Sequence, residues 1–291
     1  MNEFDVIQKA RALVASVDGY KIGTDLSAYL QSANATVRKE KLGKGESGFA
    51  VKRDDGKYVI TVNSLEAEVR QRFTVCHELG HIILGLPSSH GVLPLWSFAK
   101  RDMNEVLCDA FAAELLMPYA AFKARMAKQE PSIEAIEGLA SNFYVSFPAA
   151  ASRYASLAEF PCAYVIMESG IVRYAPLSTS LRRTGARILP KSPIPPGSVA
   201  ARVRSAGTNE PQTDQVAQDV WLDDWDKGYD FWEMARRYEH FDTTMSLLWC
   251  SEDELPQLEL DRFGKKIADV DDGGLTELTG ELPWPGKRKK R

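Results

Sequence analysis

Residues 73–85, FTVCHELGHIILG, decide how this chain is read. An apolar pattern recurring at three- and four-residue steps predicts a helix over 65–84, with Leu65, Val69, Phe73, Cys76, Gly80 and Ile83 on one face and Gly85 and Pro87 ending it. On such a helix His77 and His81, at i and i+4, share a face, so two imidazoles converge on a point suited to one metal ion. Glu78 leans beside that point, where it can take a proton from a metal-bound water rather than ligate. Two of the chain's four histidines fall in this one motif, which disfavours an incidental pairing.

A catalytic zinc site needs three protein ligands and an open position. The next strong helical pattern, 104–117, stops at Pro118 and contains Glu105 and Asp109, again at i and i+4. Glu105 can supply the third ligand, and Asp109 can accept a hydrogen bond from a ligand histidine and hold its tautomer. Asp102, Cys108 and His90 are rivals for that third position. His90 could also polarise a substrate carbonyl or stabilise an oxyanion, and Cys76 and Cys108 read as small buried residues.

Around these motifs, SGFAVKRDDGKYVITVNS (47–64) reads as a hairpin, with strands 49–51 and 58–62 and Asp55-Gly56 as a two-residue turn. Either strand could bind an extended peptide by strand addition. Residues 4–30 and 131–157 carry helical spacing, the latter broken at Val145-Ser146. From Pro161 the pattern becomes strand, turn, strand, with Ser169-Gly170 between, and a charged, aromatic stretch follows at 221–250. Trp221, Trp225, Tyr229, Phe231 and Trp232 could line a pocket but suit a core better.

The chain of 291 residues is 44% hydrophobic and carries a formal charge of −4, so it can bury a core and has no global attraction to nucleic acid. No apolar run is long enough to span a membrane. The opening MNEFDVIQKA lacks the apolar stretch of a secretory signal, and the four scattered cysteines read as cytosolic thiols, so a cytoplasmic protein is expected.

FTVCHELGHIILG followed by NEVLCDAFAAELLMP closely resembles the ImmA/IrrE family of zinc-dependent metallopeptidases, with ITVN (60–63), Arg72 and LASNFYVSFPAAASRY (139–154) similar to its flanks. The resemblance implies His77, His81 and Glu105 as ligands of one zinc ion, Glu78 as the catalytic acid/base and Asp109 behind the ligands. Cys108 stands where alanine is expected in the family. The implied fold is α+β: a zincin-like metallopeptidase domain (1–128), a helix-turn-helix-like segment (129–158), a smaller α/β domain (159–270) of a kind that in relatives can be a GAF-like sensor, and a flexible basic tail (271–291). The implied activity is cleavage of a helix-turn-helix transcriptional repressor, as part of a stress response or the control of a mobile element. Arg153 is the one basic side chain from 141 to 157, so direct DNA binding is not expected. A non-proteolytic regulator with structural zinc, or a DNA-binding regulator with a vestigial peptidase core, are the other readings.

Overall fold

The computed structural model describes residues 1–17, 25–43, 45–88, 102–127, 131–222, 229–239 and 242–255. His90, Trp225 and the basic tail lie outside the described residues. Met1–Leu255 forms one compact unit.

The architecture is α+β, as the resemblance implies. Helices α1 (Glu3–Ser16) and α2 (Ser27–Ser32) precede strands β1 (Ala35–Glu40), β2 (Gly48–Lys52) and β3 (Tyr58–Asn63). The strands form one sheet in the order β1-β3-β2, with β1 parallel and β2 antiparallel to the central β3. Then come α3 (Glu68–Leu84), α4 (Met103–Leu116), α5 (Tyr119–Met126), α6 (Ile133–Phe143) and α7 (Phe147–Leu157). A second, wholly antiparallel sheet follows, built from β4 (Cys162–Glu168), β5 (Ile171–Tyr174), β6 (Gln212–Ala217), β7 (Asp230–Tyr238) and β8 (Thr243–Trp249) in the order β5-β4-β8-β7-β6. Two short helices, α8 (Thr179–Arg183) and α9 (Val199–Ala206), fall within it in sequence.

Alternation along β4 splits the apolar interior in two. Cys162, Tyr164 and Ile166 join the larger cluster with the helices that precede them, while Ala163, Val165 and Met167 face the second cluster with α8 and α9. Each fully buried large apolar side chain contributes about 1.5–3 kcal/mol, so the larger cluster anchors the helices that carry the functional residues.

Several local expectations are corrected. The hairpin closes through Arg53 and Lys57, whose backbones bond at 2.8 Å, and Gly56 at φ +80° takes the left-handed position, so the loop is longer than a two-residue turn. β1 has no counterpart in the periodicity: of its six residues only Ala35 is buried, so its place comes from backbone pairing with β3. Residues 4–30 hold two helices in place of one continuous stretch, and α5 begins immediately after Pro118. The break at 145–146 is present: Tyr144 ends α6 in the left-handed region at φ +51°, and Ser146 caps α7.

Candidate metal centre

Gly85 ends α3 at φ +66°, a conformation that costs glycine little, and it turns the chain back so that the Leu86 N–H donates to the His81 carbonyl at 3.1 Å. The same reversal brings the Leu86 carbonyl to 3.1 Å from His81 Nδ1. On the neighbouring helix, Asp109 Oδ1 lies 2.8 Å from His77 Nδ1. Both partners can only accept, so each imidazole donates through Nδ1 and turns Nε2 inward.

Inside, His77 Nε2 and His81 Nε2 lie 3.1 Å apart, and Glu105 places Oε2 at 3.0 Å from the first and Oε1 at 3.5 Å from the second. His77, His81 and Glu105 thus each offer a ligand atom within 4.8 Å of the others. Three electron-pair donors aimed at one another repel unless a positive charge sits among them. With a proton as that charge, burial works to lower the pKa of His77, but hydrogen bonds to Asp109 and Glu105 outweigh it and raise the imidazole to about 9. A divalent cation satisfies the same donors: ligand atoms about 2.0–2.1 Å from a tetrahedral ion stand roughly 3.3 Å apart, close to the nitrogen separation found here. The residues therefore fit a metal ion.

The approach of the two helices explains the letters between the ligands. A Cβ on Gly80 would lie 3.2 Å from Cys108 Cβ and 3.3 Å from its Cα, so α3 and α4 meet closely at Gly80 and Cys108. Glu105 stands one turn before Cys108, which carries it to the histidines. Glu78, next to His77 on α3, is buried (3% exposed), and its negative charge adds to the influences that raise the His77 pKa.

Asp102 caps α4 by accepting from the Asn104 N–H at 2.7 Å. The Cys108 thiol is pushed up to about 12 by burial and then by the carboxylates of Glu105, Asp109 and Glu78, which disfavours the thiolate. Burial does the same to Cys76. His90 falls outside the described residues. Sequence reasoning missed the Leu86 carbonyl, although the Gly85 that turns the chain toward His81 was its visible signal.

A helix bearing HExxH, two imidazoles meeting a carboxylate from the following helix, and a small mixed sheet beside them define a zincin-like metallopeptidase domain. Residues 30–154, under half of the chain, match the model of the Peptidase_M78 family, the IrrE N-terminal-like domain. The radiation response metalloprotease IrrE of Deinococcus radiodurans is 31% identical over 117 residues, 38% of this chain and 35% of that protein. The chain thus spans about a third of that relative's length. A solved Mycobacterium tuberculosis transcriptional regulator shares the fold, with a TM-score of 0.54 and 14% identity over 85% of this chain and 76% of its own.

Proposed function

We propose that this protein is a zinc-dependent endopeptidase that hydrolyses a peptide bond in a protein substrate, a helix-turn-helix transcriptional repressor, and so regulates gene expression. The observation that carries the chemistry is the convergence of His77, His81 and Glu105, with the buried Glu78 following His77 on the same helix. Those three side chains would hold the ion. Lewis acidity, which acidifies water and polarises a carbonyl, is what zinc contributes when bound. Glu78 accepts a proton from the attacking water and returns it to the leaving amine, one group serving as base and then acid. Asp109 fixes the His77 ring and tautomer through Nδ1. The repressor as substrate rests on the family alone.

The topology favours one strand for substrate binding. β3 is central, so of the two hairpin strands it is β2 that stands at the sheet edge among the described residues, and both strands pack against α3. A Cβ on Gly48 at the start of β2 would lie 2.6 Å from Thr74 Cγ2, one turn before His77, so that end of the edge runs close to the metal-binding helix. An extended peptide added there would place its backbone by strand pairing.

Arg153 supports a packing role for α6 and α7 over DNA reading, because its guanidinium donates to Glu114 and to the Met117 carbonyl inside the protein.

The test is to measure bound metal and incubate the protein with purified candidate repressors, with and without chelator. Glu78→Gln should retain the metal and lower cleavage by about 10²–10⁴-fold, since the amide keeps the shape and loses the basicity. Cleavage of undiminished rate in that variant, or cleavage indifferent to metal removal, would reject the proposal.

A further inference from the structure

A cavity of about 640 Å³ lies between the helices α5 and α7 and the end of the β7–β8 pair, and none of its walls belongs to the metal centre. That volume lies within the range of about 300–1,000 Å³ usual for small-molecule sites. Trp232 on β7 and Trp249 on β8 are directly opposed in the antiparallel register. Opposed residues share a face with Cβ atoms about 4.5–5.5 Å apart, so the two indoles form one continuous wall. Trp232 is 43% exposed although it lines a cavity, whereas Trp221 and Phe231, from the same aromatic stretch, are core at 4% and 0%. Tyr154 and Phe160 add a second aromatic surface, their rings edge-to-face with centroids 6.3 Å apart.

Among the described residues, the charges at this cavity are Lys123, Glu159 and Glu254. Lys123 Nζ meets Glu159 Oε1 at 2.5 Å, so those two offset each other. Glu254 is left as the net charge, at the end of an acidic turn with Glu252 and Asp253. Four aromatic rings and a surplus of negative charge select against anions. An alkyl-substituted ammonium group suits both features: ring faces attract the cation, its methyl groups fill apolar space, and it surrenders water more readily than a bare ammonium.

We propose that this cavity binds an organic cation bearing a quaternary or alkylated ammonium group. The proposal is independent of the peptidase reading, because the binding it describes needs neither metal nor cleavage.

The test compares choline with 3,3-dimethyl-1-butanol, its uncharged isostere, on the full chain, by tryptophan fluorescence and isothermal titration calorimetry. Choline should bind saturably and at least about tenfold more tightly than the alcohol. Trp232→Ala, at a half-exposed position, should weaken choline at least about tenfold while the melting temperature is held as the check on folding. Glu254→Gln should weaken choline but not the alcohol, since glutamine can still accept the Ser251 N–H bond that the glutamate accepts at 2.6 Å. Equal binding of the two probes would overturn the cation assignment, and saturable binding of neither would overturn the site itself.

Discussion

His77 is engaged through both ring nitrogens, to Asp109 on one side and to the Glu105 and His81 donors on the other. Replacing Asp109 by asparagine keeps an oxygen acceptor but removes the charge that makes the imidazole basic. Metal affinity should fall by about 10–100-fold, measured by competition with a chromophoric chelator, and an unchanged affinity would deny Asp109 this role. The two i, i+4 pairs were legible in the sequence because helical geometry is local: once each segment is a helix, His77 with His81, and Glu105 with Asp109, must share faces. That the two faces meet is a long-range fact, and there the family resemblance did what spacing could not. The Leu86 carbonyl, a backbone acceptor, has no letter of its own, and its one sign in the sequence is Gly85, which turns the chain toward His81.

The contact between α3 and α4 turns on Gly80 and Cys108, and a methyl group is the smallest probe of it. Gly80→Ala gains helix propensity but sets a carbon 3.2 Å from Cys108 Cβ, where backbone rather than a flexible tip must move. We expect destabilisation of about 1–3 kcal/mol in urea unfolding, with a loss of metal affinity as Glu105 is pushed from the histidines. Gly80→Ala at wild-type stability and affinity would mean that the helices separate without cost. Elements with strong periodicity and punctuation were readable to within a few residues: α3 between its apolar face and Gly85, α4 up to Pro118, and the β4–β5 pair with Ser169 and Gly170 at φ +49° and +78° in the turn. β1 was not, because a mostly exposed strand held by main-chain bonds shows no alternation, and α5 was not, because the proline that ends one helix can also stand before the next.

The four cysteines are buried and, within the described residues, free of disulfides. Burial raises each thiol to about 12, with Cys162 lowered in part by its bond to Ser178. The folded protein thus holds four neutral thiols at physiological pH, and only unfolding brings them back to their ordinary range. Maleimide labelling at pH 7.5 should be slow in the native protein and complete in denaturant, counted by mass spectrometry; rapid native labelling at Cys76 or Cys108 would mark a reactive thiol instead.

At the largest scale a buried carboxylate joins several of the helices. Glu114, 1% exposed, accepts from Arg11 Nε at 3.2 Å, from Arg153 Nη2 at 2.5 Å and from the Tyr119 N–H at 2.9 Å, so it ties α1, α7 and the start of α5 to the helix that carries Glu105. None of these contacts is readable from spacing, since Arg11 lies 103 residues away and Arg153 lies 39 away. The partners differ in what they lose: Arg11 is 40% exposed and can turn to water, whereas Arg153 is 13% exposed and cannot. Glu114→Ala should therefore cost about 3–5 kcal/mol, chiefly by leaving the Arg153 charge buried and uncompensated. Arg11→Ala should cost about 1 kcal/mol or less, because its pair is partly solvent-screened. Adding Arg153→Met to Glu114→Ala should recover part of the loss, as the stranded charge is replaced by an apolar side chain of similar length. Urea unfolding of the set decides the matter: equal costs for the Glu114 and Arg11 variants, with no recovery in the double variant, would show that burial of the Arg153 pair is not what holds these helices together.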